Sequence, residues 1–164
     1  EGKYRPGHFQ GVCMVVHRLL EIITTNELYL GQKDYQQCMV IKKLVEIENI
    51  NTSINICPTL REPAGLAMSS RNMRLGNKEK QQALKIIETL TYIKNNIKPG
   101  ALTELKQAAV NNLTNAGFKV DYVEIADADN LEIIDNWDGN RKLVALAAAF
   151  LGEVRLIDNL VLQS

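Results

Sequence analysis

From Gly65 to Leu75 the sequence reads GLAMSSRNMRL, with two hydroxyls, a guanidinium and an amide in unbroken succession. Ser69 and Ser70 offer hydroxyls and backbone N–H groups, and Arg71 offers a planar fork matched to phosphate oxygens. Such a set can cradle a phosphate. It can equally be an ordinary junction, with Ser70 as a cap and Arg71 in a surface ion pair. A second cluster is LYLGQKDYQQ, Leu28 to Gln37. A glycine where a strand ends lets backbone approach a ligand, and a helix N-terminus presents N–H groups to an anion. Lys33 would add a mobile positive charge there; the plain alternative is an exposed turn with a solvated lysine. Gln36 and Gln37 open the following helix, where an inward amide can hold a carboxylate or hydroxyl of a small ligand and an outward one is mere surface. The third cluster is RPGHFQG, residues 5–11. Arg5, Pro6 and Gly7 predict a tight turn that can fold over a pocket, with His8 either near an anion or structural. His17 lies inside a helical pattern and reads as structural. No P-loop, dinucleotide fingerprint, EF-hand or metal-ligand cluster is present, so no metal-ligating residue is assigned. No cysteine stands in an arrangement with histidine that suggests a thiol nucleophile.

These clusters need elements to hold them. Val12, Val15, Val16, Leu19, Leu20 and Ile23 recur at helical spacing, so residues 12–24 predict a helix. ELYLG predicts a short buried strand ending at Gly31. Asp34 stands where it can cap a second helix with Met39, Ile41, Leu44, Val45 and Ile47 on its apolar face. Thr52 to Cys57 predicts the next strand, stopped by Pro58. Helix and strand in alternation imply a parallel sheet with helical crossovers, yet two parallel strands make no stable sheet alone. Beyond the serines, residues 78–97 and 103–116 predict two amphipathic helices, the second stopped at Gly117. Residues 119–126, 142–150 and 154–162 then predict three strands of an antiparallel sheet, the last two joined by a hairpin-length link. The whole is an α/β chain with a predicted division at residue 58.

The 164 residues carry 19 basic and 19 acidic side chains. Charges so balanced create no global field that recruits nucleic acid or anionic lipid, and any anion site must be local. No apolar run reaches the roughly 20 residues of a membrane span. Cys13, Cys38 and Cys57 are odd in number and set among apolar residues, which points to buried thiols in a reducing, cytoplasmic compartment.

Taken in order, RPGHFQGV, GQKDYQQ, GLAMSSRN, DYVEIAD and VRLIDN resemble the pantothenate synthetases, the pantoate–β-alanine ligases, along essentially the whole chain. The resemblance implies a Rossmann-like nucleotidyltransferase domain carrying the active site and a smaller C-terminal lid domain with a three-stranded antiparallel sheet. It implies coupling of pantoate to β-alanine with ATP and Mg²⁺, through a pantoyl-adenylate, in a homodimer. By position, Gly31, Gln32, Lys33 and Asp34 match the nucleotide loop, and Leu60 matches a position whose backbone meets the adenine. Met68, Ser69, Ser70 and Arg71 match the segment around the phosphates. Gln37 matches the pantoate-holding glutamine, Val15 and Val16 match the apolar wall beside it, and His8 lies in the loop covering that side. Lys33, Ser69, Ser70 and Arg71 are the implied catalytic set, neutralising charge. Two departures stand out. Ala64 replaces an expected Asp, and the family's paired histidines and second pantoate glutamine are absent. The expectation is therefore a C-terminal portion lacking the first half of the Rossmann domain. Residues 1–58 would be a partial nucleotide-binding domain and 59–164 the lid domain, inactive by themselves. A different nucleotidyltransferase, such as a cytidylyltransferase, and a non-catalytic dimerisation or lid module are the alternatives.

Overall fold

Pro6 and Gly7 set the first element. His8 N–H donates to Arg5 C=O at 3.1 Å, and Gly7 adopts φ 75° and ψ −9°, the third-residue conformation of a type II turn, which favours glycine. The turn feeds the helix α1, His8–Ile22, which therefore begins four residues before the apolar pattern does. In the computed structural model, which describes residue 2 and residues 4–162, the chain divides into two units, Glu1–Pro58 and Thr59–Ser164.

The first unit continues with β1 (Glu27–Gly31), a 3-10 turn (Gln32–Asp34), α2 (Tyr35–Ile47) and β2 (Ser53–Cys57). The strands pair in parallel, Leu28 opposite Ile54 and Gly31 opposite Cys57, as the helix–strand alternation predicted. Tyr35, Cys38, Met39, Ile41 and Val45 form the buried face of α2. Three expectations need correction, the first being that β1 is a buried strand: none of its residues is buried, and Tyr29 is 63% exposed. Asp34 occupies the N-cap position of α2, but its carboxylate makes no capping bond; the 3-10 turn winds directly into the helix instead. The stripe on α1 has helical spacing, yet no residue of α1 is buried, and Val15 is 61% exposed.

In the second unit, α3 (Asn77–Asn96) and α4 (Thr103–Asn115) pack on a sheet of β4 (Lys119–Asp127), β6 (Leu143–Leu151) and β7 (Val154–Val161). The order is β4-β6-β7, antiparallel throughout. Leu90, Ile93, Leu102, Leu113, Ile125 and Leu143 are its fully buried centre. Along β6, Leu143, Ala145, Ala147, Ala149 and Leu151 alternate onto the face that joins this core, the alanines leaving room for the helices. Gly117 ends α4 as predicted: Phe118 N–H reaches Leu113 C=O at 3.1 Å and Gly117 N–H reaches Thr114 C=O at 2.9 Å, a Schellman closure. The sequence did not reveal β3 (Gly100–Ala101) and β5 (Asn136–Trp137), a two-residue antiparallel pair. Among the described residues no helix is long and apolar enough to cross a membrane.

Candidate active site

In the first unit, His8, Gly11, Val12, Val15 and Val16 fall at i, i+3, i+4, i+7 and i+8 of α1 and so share one face. That face, with Gly7 before it and Gln37 from α2, lines an open recess of about 540 Å³. Nothing lies within 4 Å of where a Gly11 Cβ would stand, so glycine there widens the hollow. Three valines make its wall apolar, and His8 and Gln37 supply polar groups. Arg5 Nη1 donates to His8 Nε2 at 3.0 Å. Arginine can only donate, so Nε2 is the acceptor in this contact. Four residues assigned to one ligand from the sequence, His8, Val15, Val16 and Gln37, thus share this recess. Gly7, read from the sequence as part of a turn over a pocket, lies in this lining, whereas Gly11 and Val12 were missed, although their spacing from His8 and Val15 was the available signal. His17, farther along α1, has its ring nitrogens 4.0 Å from Glu21 and 3.9 Å from Glu48.

Gly31, Gln32, Lys33 and Asp34 follow the C-terminal end of β1, where ligands of open parallel sheets bind. They lie outside the lining of the recess, at the end of β1 and in the 3-10 turn before α2, whose third residue is Gln37. Lys33 is largely enclosed rather than a fully solvated lysine. Its side chain is 16% exposed, with Nζ 3.8 Å from the half-exposed Asp34 carboxylate. Beneath the loop, the buried Cys38 thiol donates to Gly31 C=O at 3.3 Å. Burial, assisted by the negative charge of Asp34, pushes this thiol up to about 11.

The second unit holds Leu60, Met68, Ser69, Ser70 and Arg71. Residues 60–68 form a small hairpin, with Met68 N–H on Leu60 C=O at 2.9 Å and Glu62 N–H on Leu66 C=O at 2.8 Å. Its turn closes through Gly65 N–H on Glu62 C=O at 2.7 Å, with Gly65 at φ 103°. The turn therefore forms with Ala64 in it. Leu60 and Met68, paired across the hairpin, are 71% and 49% exposed. Ser69, rather than Ser70, is the cap: its Oγ accepts Arg71 N–H at 3.2 Å and starts a 3-10 turn, Ser70–Arg74. The Ser69 hydroxyl hydrogen stays available to donate. Arg71 is exposed, and no carboxylate among the described residues pairs with it.

Side chains far away in sequence hold this segment. Arg61 Nη1 and Nη2 grip the Asp158 carboxylate of β7 at 2.7 and 3.0 Å, and Nη1 also donates to Gly65 C=O at 3.1 Å. Buried Asn72 donates from Nδ2 to Glu62 Oε1 at 2.9 Å and to Ala67 C=O at 3.0 Å. The Arg61–Asp158 pair has no local sequence signal. Among the described residues no group of three or more His, Cys, Asp or Glu converges as a metal site would.

The parallel βα unit, and the antiparallel α+β unit after it, define an α/β fold like that of the nucleotidyltransferases. The family model described as pantoate-beta-alanine ligase matches residues 1–161, and the chain belongs to that ligase family. Pantothenate synthetase of Azobacteroides pseudotrichonymphae is 43% identical over 161 residues, 98% of this chain and 58% of the relative. Pantoate–beta-alanine ligase of Dictyostelium discoideum is 46% identical over 172 residues, 99% of this chain and 56% of the relative. Among solved structures, pantothenate synthetase of Thermus thermophilus superposes with a TM-score of 0.90 at 32% identity, covering 100% of this chain and 59% of that one. The Francisella tularensis pantoate-beta-alanine ligase, complexed with beta-gamma ATP and β-alanine, gives 0.72 at 39% identity, over 99% of this chain and 54% of that one. The chain thus spans a little over half the length of these relatives.

Proposed function

We propose that these residues serve, within a complete enzyme, the ATP-dependent condensation of pantoate with β-alanine to pantothenate through a pantoyl-adenylate. The observation that carries this reading is the recess of His8, Val15, Val16 and Gln37: an apolar wall facing two polar groups suits a small branched hydroxy acid. Family membership and the ATP and β-alanine bound by the Francisella tularensis relative support it. In the first step the pantoate carboxylate attacks the α-phosphorus of ATP and pyrophosphate leaves. In the second the β-alanine amine attacks the acyl carbon and AMP leaves. Two anions must meet first, so catalysis calls for positioning and charge neutralisation more than a protein nucleophile. Gln37 and His8 orient pantoate between the valines. Lys33 offsets phosphate charge beside the Gly31–Asp34 loop, the Ser69 and Ser70 hydroxyls donate to phosphate oxygens, and Arg71 offers its fork. Leu60 and Met68 flank the nucleotide. Mg²⁺ bound to the phosphates would add charge neutralisation; the described residues present no carboxylate cluster fitted to hold it, so it is assigned to the nucleotide.

On the same reading residues 1–58 are the end of a Rossmann-like nucleotide domain, residues 59–164 are its C-terminal lid domain, and the enzyme is a cytoplasmic homodimer. The 164 residues contain only His8 and His17 as histidines, so the family's paired histidines are not among them and the stretch alone is inactive. The decisive experiment is exchange of labelled pyrophosphate into ATP by the complete enzyme. Exchange that requires pantoate and is not supported by CTP is expected. Exchange indifferent to pantoate, or pantothenate formed by the 164-residue chain alone, would show the reading to be wrong.

A further inference from the structure

The hairpin of residues 60–68 is too short to be stable unaided. Its side chains divide sharply. Leu60 and Met68 face outward, while Arg61 and Ala67, the pair bridged next to them, turn toward the rest of the unit. Arg61 spends its fork on one task. Nη1 and Nη2 clasp Asp158, and Nη1 also reaches back to Gly65 C=O at the hairpin turn. Asp158 is buried on β7, opposite Ala147 of the central strand β6, and its Oδ1 also accepts Asn159 N–H at 2.8 Å. The carboxylate is therefore held in a buried position on a strand paired with the centre of the sheet. Asn72, next to Arg71, ties the other end. Its two Nδ2 donations to Glu62 and Ala67 fix the amide orientation and join the 3-10 turn to the hairpin. Arg61 and Asn72 serve as anchors, and the exposed Leu60, Met68 and Arg71 are among the residues assigned to the nucleotide.

We infer that Arg61, clasped by Asp158, is a positioning residue for ATP: it sets the backbone and outward side chains of Leu60 and Met68–Arg71 without touching the ligand. The inference rests on the nucleotide role proposed for that segment. Geometry held to within an ångström is worth large factors in rate, so a loosened clasp reaches the chemistry through the phosphates alone. Pantoate, assigned to the recess of the first unit, is not affected by it.

Two variants of the complete enzyme separate positioning from stability. Arg61→Lys keeps the charge opposite Asp158 but loses the fork and the reach to Gly65. The double variant Arg61→Met with Asp158→Leu replaces the buried pair by apolar groups, an exchange that folded proteins often tolerate or gain from. In both, kcat/KM for ATP is expected to fall on the order of 10- to 100-fold. KM for pantoate should stay within about twofold of wild type, well under a tenfold, 1.4 kcal/mol change. Arg61→Lys with unchanged kinetics toward ATP, or a fully stable double variant with unchanged kinetics, overturns the inference while leaving the nucleotide role intact. Equal weakening of ATP and pantoate in Arg61→Lys also overturns it, since that marks a general structural role. A wild-type enzyme that does not use ATP removes the nucleotide role and this inference together.

Discussion

Replacing Lys33 by Met keeps most of the aliphatic stem in its partly buried site and removes only the charge. The two roles open to Lys33 then differ in size. As a partner of Asp34 it stands 3.8 Å from a carboxylate that is half exposed. Coulomb attraction at that distance is about 1 kcal/mol in water and about 4 kcal/mol at an effective dielectric constant of 20. With one partner in solvent, and side-chain entropy lost by both, the net worth of such a pair is about 1 kcal/mol or less. For a chain of this length that lowers the melting temperature by roughly 2–4 °C. As the group that offsets charge on the phosphates, Lys33 acts where charge develops, and removing one such donor costs on the order of 100- to 1000-fold in kcat, about 2.7–4 kcal/mol. The assay is pantoate-dependent exchange of pyrophosphate into ATP by the complete enzyme and by Lys33→Met, with a thermal melt of each. A drop of about 100-fold or more in exchange, with a melting shift under about 4 °C, is expected. Exchange within about threefold of wild type, less than ~1 kcal/mol of barrier, would refute the phosphate assignment.

Gln37→Leu should weaken pantoate by roughly 1–3 kcal/mol, the cost of leaving ligand oxygens unpaired, and leave ATP affinity nearly unchanged in calorimetric titrations; equal loss for both ligands would make Gln37 structural. Of the three cysteines expected to be buried only Cys38 is, Cys13 being half-buried and Cys57 exposed, so iodoacetamide at pH 8 should alkylate Cys57 and spare Cys38, whose thiol burial holds protonated up to about 11; mass spectrometry showing early Cys38 modification would contradict this. The folded value lies above the ordinary 9.0, so the unfolded chain gives up this proton first, and the stability it contributes is present below about pH 9 and lost as pH rises toward 11. Amide hydrogens of residues 28–30, in a two-stranded sheet, should exchange faster than those of 143–150, in the centre of a three-stranded one; equal protection in a demonstrated monomer would refute that ordering.

Helices α3 and α4 were legible because Ala83, Ile86, Leu90 and Ile93 repeat with the period of the face they bury, and the sheet closed over them as expected. Strand β6 was legible as a continuous apolar run because it is central and covered on both sides. Helix α1 shows where that logic stops. Its stripe has the same period, but period reports which residues share a face and not what covers that face; here part of it lines an open recess. Lys33 and Ser69 show a second limit. Residue type left Lys33 open as a solvated cation and put the cap at Ser70, whereas the fold largely encloses Lys33 and caps with Ser69. The Arg61–Asp158 clasp joins positions 97 apart, and only the folded chain brings them together. Strands β3 and β5, two residues each, are too short to leave a pattern.

Because α1 buries none of its residues, the first unit draws little of its cohesion from that helix, and whatever fills the hollow along it supplies part of what is missing. Occupancy and folding of residues 8–22 are then two sides of one equilibrium. A small molecule seated against Val12, Val15 and Val16 at 100 times its dissociation constant would hold the occupied form by about 2.7 kcal/mol. Melting of the first unit thereby becomes a titration curve for its ligand, and acids that fit the hollow can be ranked by the temperature at which this unit comes apart, with no turnover required.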